Sequence, residues 1–186
     1  MKIKLDIKAV DNAELFSDFY CGIPAMDKFI HEGLAMSIKN HYCQAYAVLN
    51  GEDLVAMFAL SFDSVDLDND DKEEISTGIS MTGIPDVSPD YEETFYCKRR
   101  YPALDIAYLA VREDLRGQHI GEYLVSQIRK RAKEQRFAGC QFLTVEAYNV
   151  KDYSAVGFYD RCGFANNEIP NSSKDTVRMF QTLYSK

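Results

Sequence analysis

No apolar run in this sequence exceeds the seven residues Leu54–Leu60. A membrane-spanning helix needs about 20, so no span is expected. The opening "MKIKLDIKAV" alternates polar with apolar and lacks the apolar core of a secretory signal. A cytoplasmic protein is therefore expected. Histidines number three, too few for a histidine-rich metal centre, and no metal is expected. The five cysteines are odd in number and form no C-x-x-C pair, which argues against a disulfide framework or zinc site and for buried free thiols. A nucleotide P-loop is missing as well, because Gly121 is followed by Glu122-Tyr123 rather than Lys-Ser/Thr. The dinucleotide fingerprint G-x-G-x-x-G is also missing.

What is present is an ordinary globular composition, 46% hydrophobic and 27% charged, over 186 residues. That length suits one domain, which can bury roughly 70% of its unfolded surface without staples. The formal charge of −8 is unevenly placed. Ser64–Thr94 holds ten acids (Asp66, Asp68, Asp70, Asp71, Glu73, Glu74, Asp86, Asp90, Glu92, Glu93) against Lys72, a net −9, and the remainder sums to +1. An acidic segment repels nucleic acid and favours cationic partners, or else forms a solvated loop.

The chain reads as alternating elements. Residues 2–10 alternate as a half-buried strand, and residues 12–41 turn helical, with Pro24 suited to a first turn. Two β-friendly runs flank Asn50-Gly51-Glu52-Asp53, a hairpin signal. Residues 66–97 read as an acidic insertion, partly helical. Asp105–Val111 is a nearly continuous apolar strand. Ile120, Leu124, Ile128 and Ala132 share one helical face, and Cys140–Val145 is a second buried strand. The three make a right-handed β-α-β unit with parallel strands. Asp152–Cys162 reads as a helix stopped by Gly163, and Thr176–Tyr184 as a last strand.

Between the strand and the long helix stands "RGQHIG", Arg116 to Gly121. A strand's carboxyl end meets a helix amino end there, so unpaired N–H groups and the helix dipole gather into an anion site. Glycines let the backbone approach, and Arg116 can add a charge-assisted bond.

The strand "IAYLAV", this turn, the helix after it and "SAVGFYDRCGF" resemble the GNAT superfamily of N-acetyltransferases. The resemblance covers roughly residues 104–165 and implies a GNAT-like α/β fold, a central mixed sheet splayed between strands 4 and 5, in one domain spanning 1–186. The family's turn, Arg/Gln-x-x-Gly-x-Gly/Ala, holds the pyrophosphate of acetyl coenzyme A. Arg116 and Gly121 match its ends, and His119 replaces the middle glycine. The implied cofactor contacts are Leu109, Ala110 and Val111 along the strand, and Arg116, Gly117, Gln118, His119, Ile120, Gly121 and Glu122 in the turn. Asn149 and Asp152 are the two candidates for an asparagine that precedes the family's tyrosine. Ala155, Tyr159, Gly163 and Phe164 fit the second block, which implies that Tyr159 protonates the departing thiolate. Taken alone, Tyr159 also reads as a core aromatic. Glu146, at a strand end, is the candidate base for the incoming amine.

"FYCGIPAMDKFI", residues 19–30, is similar to a pattern in one branch of the family, with Phe19, Cys21, Gly22, Asp27 and Phe29 in register. That branch includes toxins that acetylate aminoacyl-tRNA. The resemblance thus implies an acetyl-CoA-dependent enzyme acting on a primary amine of a small molecule, peptide or protein. The alternatives are a toxin-type acetyltransferase and a non-catalytic coenzyme-binding or interaction module. The −9 segment argues against nucleic acid, so tRNA enters only under the toxin reading, supported by Lys98-Arg99-Arg100 and the cluster at 129–136. No membrane partner is expected, and a homodimer stays open because many members dimerise.

Overall fold

The computed structural model describes residues 5–77, 87–167 and 173–184. The chain forms two compact units: Met1–Ser61 with Ile106–Gln127, and Phe62–Asp105 with Ile128–Lys186.

In the first unit, β1 (Leu5–Val10), β2 (Gln44–Asn50) and the leading part of β3 (Asp53–Asp66) pair as an antiparallel meander. The β2–β3 turn places Gly51 at φ 66°, in the left-handed region that favours glycine. A register shift at Val48/Leu49 marks a bulge. The helical stretch opens with Pro24 and comprises α1 (Pro24–Lys28), a π-helical turn (Phe29–Gly33) and α2 (Leu34–Lys39). Its apolar side supplies Ile30 and Leu34 to a core with Phe16, Phe19, Cys21, Ala45, Ala47, Met57 and Ala110. The helical reading of this stretch agrees with these elements. The early part of 12–41 is different: only Glu14–Phe16 is helical, as a 3-10 turn.

In the second unit, β4 (Arg100–Val111) enters and β5 (Phe142–Val150) lies parallel to it, with Ala103, Leu104 and Asp105 opposite Phe142, Leu143 and Thr144. β8 (Thr176–Thr182) pairs antiparallel with β5 from Phe142↔Thr182 to Tyr148↔Thr176, and the short β7 (Ala165–Asn166) adds to β8. The core is aromatic: Phe95, Tyr101, Phe142 and Phe180 are buried together, with ring centroids 4.8–5.9 Å apart. Burial of such rings contributes far more than any surface ion pair here. β3, β4 and α5 (Ile120–Glu134) each run from one unit into the other.

Several boundaries move. The strand predicted at 105–111 begins at Arg100, because Tyr101 and Ala103 also point into the aromatic core. The strand predicted at 140–145 runs on to Val150, then doubles back through β6 (Tyr153–Ser154). That hairpin consumes the first residues of the predicted 152–162 helix, and α6 is only Val156–Arg161. Within the acidic segment, α3 (Asn69–Thr77) and α4 (Glu92–Cys97) are helical as expected, while residues 78–86, with the expected breaks at Gly78, Gly83 and Pro85, lie outside the described residues. So do residues 2–4 of the first predicted strand. The cysteines are free, but only Cys21 and Cys43 are buried; Cys97 is exposed.

Phe142 is fully buried and touches three other rings. Its replacement by alanine is expected to cost about 3–5 kcal/mol. Urea unfolding should show this as a lowered midpoint at unchanged slope.

Candidate active site

The turn before α5 has the geometry of an anion cradle. Gly117 adopts φ 79°, and no atom lies within 4 Å of where its Cβ would be, so the strand-to-helix corner is open on that side. His119 adopts φ 60°. This is the left-handed region that the replaced glycine would favour, and it costs a non-glycine residue about 1 kcal/mol or more. Its imidazole is exposed, with Nδ1 3.5 Å from Glu122 Oε1. Its carbonyl accepts from Tyr123 N–H at 3.1 Å, which is the first bond of the helix. Among the described residues, the N–H groups of Gly117, Gln118, His119, Ile120, Gly121 and Glu122 have no hydrogen-bond partner. Six successive free donors at the positive end of a 15-residue helix make a site for an anion.

The corner at residues 20–22 braces this turn. The Asp27 carboxylate accepts from Cys21 N–H at 2.8 Å and Gly22 N–H at 3.1 Å. The corner so held accepts Glu113 N–H at the Tyr20 carbonyl, 3.1 Å, and Arg116 Nη1 at the Cys21 carbonyl, 3.4 Å. A Cβ on Gly22 would meet Glu113 Cδ at 2.7 Å, and its φ is 77°. The Phe-x-Cys-Gly…Asp pattern is therefore a brace for the residues leading into the turn. Arg116 is partly committed to it. Beside them Arg112 is clamped between Asp53, 2.5 Å, and Asp114, 2.6 Å. Leu109 and Val111 are half-buried at the end of β4, and Ala110 is buried.

In the second unit, Tyr159 lies on α6 with 6% of its surface exposed, packed against Phe158 and Phe164 at 4.9 and 5.4 Å between centroids. Its hydroxyl has no hydrogen-bond partner among the described residues. Burial, reinforced by the neighbouring Asp105 carboxyl, raises its pKa well above that of a free phenol. The ring thus holds its proton at any physiological pH. Gly163, at φ 87°, ends α6 as expected.

Glu146 is not a solvated strand end. Its carboxylate accepts from Thr176 Oγ1 at 2.8 Å and Arg178 Nη1 at 3.3 Å. Arg178 also donates to Asp63 at 2.6 Å. The Thr144 hydroxyl lies 2.7 Å from Asp63 Oδ2 and 3.0 Å from Asp105 Oδ1. One hydroxyl has one proton to give, so two carboxyl contacts require a second proton. Asp63, although burial pushes it up, is held below its usual pKa by bonds from Thr144 and Arg178. Asp105 is raised to about 7 by burial, and further by Asp63, against the opposing Thr144 bond and Arg178. Asp105 is therefore the carboxyl that holds the extra proton, donating to Thr144, which donates to Asp63. A carboxyl titrating near 7 is suited to general base or acid work.

Asn149 and Asp152 fall in the β5–β6 hairpin rather than at the start of a helix; Asn149 N–H donates to Asp175 O at 2.7 Å. The sequence reading missed Asp63, Asp105 and Arg178. Their signal was a lone charge in each of three apolar strand patterns, "LSFDSV", "ALDIAYLAV" and "TVRMF".

Among the described residues no cluster of histidine, cysteine and acid side chains could hold a metal ion, and no helix is long and apolar enough to cross a membrane. Residues 81–166 match the family model described as an acetyltransferase (GNAT) domain. Solved structures match over nearly the whole chain. A mutant of KacT with phenylalanine in place of a tyrosine is 22% identical, covering 96% of this chain and 95% of its own, with TM-score 0.67. AtaTR bound with AcCoA is 21% identical, covering 96% and 94%, with TM-score 0.64. AtaT complexed with acetyl-methionyl-tRNAfMet is 20% identical, covering 94% of each chain, with TM-score 0.64. No curated protein matches the sequence. The GNAT domain model thus matches just under half of the chain, and the fold, with β4 parallel to β5 in a mixed sheet, is that of these structures. Structures of AtaT and KacT are similar to this chain in fold over nearly its whole length.

Asp105→Asn removes the raised carboxyl without changing shape. Because the folded-state pKa lies above the unfolded value, Asp105 favours folding fully at low pH, and this is lost as pH rises from about 4 to about 7. The stability of the asparagine variant relative to the parent is expected to rise across that window and stay level above it. Denaturant titrations from pH 4 to pH 8 measure this; a flat difference contradicts it.

Proposed function

We propose that this chain is an N-acetyltransferase that moves the acetyl group of acetyl-CoA to a primary amine. The free N–H groups of Gly117–Glu122 carry this reading, because in number and at a helix start they suit a pyrophosphate. Arg116 adds a cationic donor at the same turn, beside the exposed His119 imidazole. The backbone of Leu109, Ala110 and Val111 binds the pantetheine arm, and its N–H groups polarise the thioester carbonyl. Asn149 and Asp152, in the β5–β6 hairpin, complete the coenzyme contacts.

Tyr159 gives its proton to the departing thiolate. An unpartnered hydroxyl on a buried ring has no structural duty to abandon, and its raised pKa keeps it protonated until sulfur leaves. The amine's proton passes into the Asp63–Thr144–Asp105 array. Asp105 accepts it when ionised, while Glu146 and Arg178 hold the array's charge in place. We read residues 1–186 as one such domain with an acidic insertion at about 66–97.

For the acceptor, two readings remain. The acidic segment favours a cationic amine on a small molecule, peptide or protein. Likeness along the whole chain to AtaT, solved with acetyl-methionyl-tRNAfMet, favours the amino group of an aminoacyl-tRNA. Assay of both acceptor classes, beside growth after induced expression, separates them: acetylated aminoacyl-tRNA with growth arrest supports the second alone.

Tyr159→Phe is expected to lower kcat by about 10²–10⁴ with coenzyme affinity kept. Turnover equal to the parent rejects the acid role. Gly121→Glu is expected to abolish coenzyme binding in calorimetry by steric and like-charge conflict; unchanged affinity rejects the cradle assignment.

A further inference from the structure

A second cationic site lies within the second unit, where the acidic segment meets the entry to β4. A cleft of about 650 Å³ is lined by Asp66, Leu67, Lys72, Arg99 and Arg100. Its size falls within the roughly 300–1,000 Å³ of small-molecule pockets. Lys72 comes from α3, and the two arginines stand at the entry to β4.

Lys72 is 8% exposed, which is rare for a lysine without a carboxylate. Its ammonium donates to the carbonyls of Tyr96 at 3.2 Å and Lys98 at 3.0 Å, at the end of α4. No carboxylate lies within ion-pair distance of it among the described residues, although six acids lie between Asp66 and Glu74. An ammonium has three donors, and two are used. The Arg99 guanidinium has no partner among the described residues, and Arg100 pairs with Asp66 at 3.3 Å through Nε. Three cations against one acid give the lining a net +2, although Asp66, Leu67 and Lys72 belong to the segment of net −9. A buried cation left with an open donor beside a cavity is costly unless something anionic completes it.

We propose that this cleft binds the phosphate group of a ligand up to about nucleotide size. Lys72 supplies a desolvated point charge from the floor, and Arg99 a planar fork from the rim. Asp66 holds Arg100 in reserve and disfavours more than one phosphate. The source of the phosphate is a free phosphorylated metabolite or one nucleotide of an RNA strand. The site goes beyond the proposed acetyl transfer and uses none of its residues.

The test is calorimetric titration of the full chain, saturated with coenzyme A, with AMP, inorganic pyrophosphate and a single-stranded RNA hexamer in turn. Binding of the coenzyme is measured first, so failure of the acetyltransferase reading is seen separately. Arg99→Glu, at an exposed position, is expected to weaken whichever probe binds by tenfold or more, to lower the logarithmic salt slope by about one, and to leave coenzyme affinity and melting temperature unchanged. Arg99→Lys should retain most of the affinity. Lys72→Met, checked for folding by its melt, should lose a similar amount. Binding of AMP or pyrophosphate identifies a free metabolite, and binding of the hexamer alone identifies RNA. The proposal is overturned if no probe binds the parent, or if Arg99→Glu binds as tightly as the parent.

Discussion

Six consecutive main-chain N–H groups, from Gly117 to Glu122, have no acceptor among the described residues. Unmet donors are tolerated in water, but here they are gathered by a left-handed Gly117, a left-handed His119 and the first turn of α5. Regular helix entry would place a side-chain cap over some of them, and none is present among the described residues. The chain also accepts backbone strain at His119 to keep this shape. Strain of that kind persists where the surroundings enforce it, and the enforcement is visible. Asp27 holds the Tyr20–Gly22 corner, and that corner holds Glu113 and Arg116 on the approach to the turn.

The second unit contributes chemistry of a different kind. Its sheet carries Asp63, Asp105, Thr144, Glu146, Thr176 and Arg178 in one hydrogen-bonded array with two more carboxyls than cations. A proton is needed to close it, and Asp105 is where burial puts that proton. Tyr159 is the neighbour that burial keeps protonated. In the proposed reaction these two groups are the proton carriers: one holds a proton near neutrality and one keeps its proton until a stronger base forms.

Much of this was legible in the sequence because it depends on local rules. The hairpin at Asn50-Gly51, the helix of Ile120, Leu124, Ile128 and Ala132, the stop at Gly163 and the turn before the helix all follow from periodicity and glycine chemistry. The β5–β6 hairpin was not legible, since Lys151-Asp152 carries no glycine and the pattern after it is helical. The polar array was hidden for another reason. Asp63, Asp105 and Arg178 lie far apart in sequence and meet only through strand register, so each reads alone as a stray charge on an apolar strand. Glu146 was singled out, but its partners Thr176 and Arg178 were not foreseeable without the β5–β8 pairing. The residues 19–30 pattern was legible as a resemblance, whereas its duty as a brace required the contacts themselves.

The central claim is that these six N–H groups hold a diphosphate. Titration of ¹⁵N-labelled protein with coenzyme A tests it most directly, by following the amide resonances of Gly117–Glu122. The account predicts that all six move strongly downfield and saturate together, with one dissociation constant. Saturation of binding elsewhere in the spectrum while these six stay in place would contradict it.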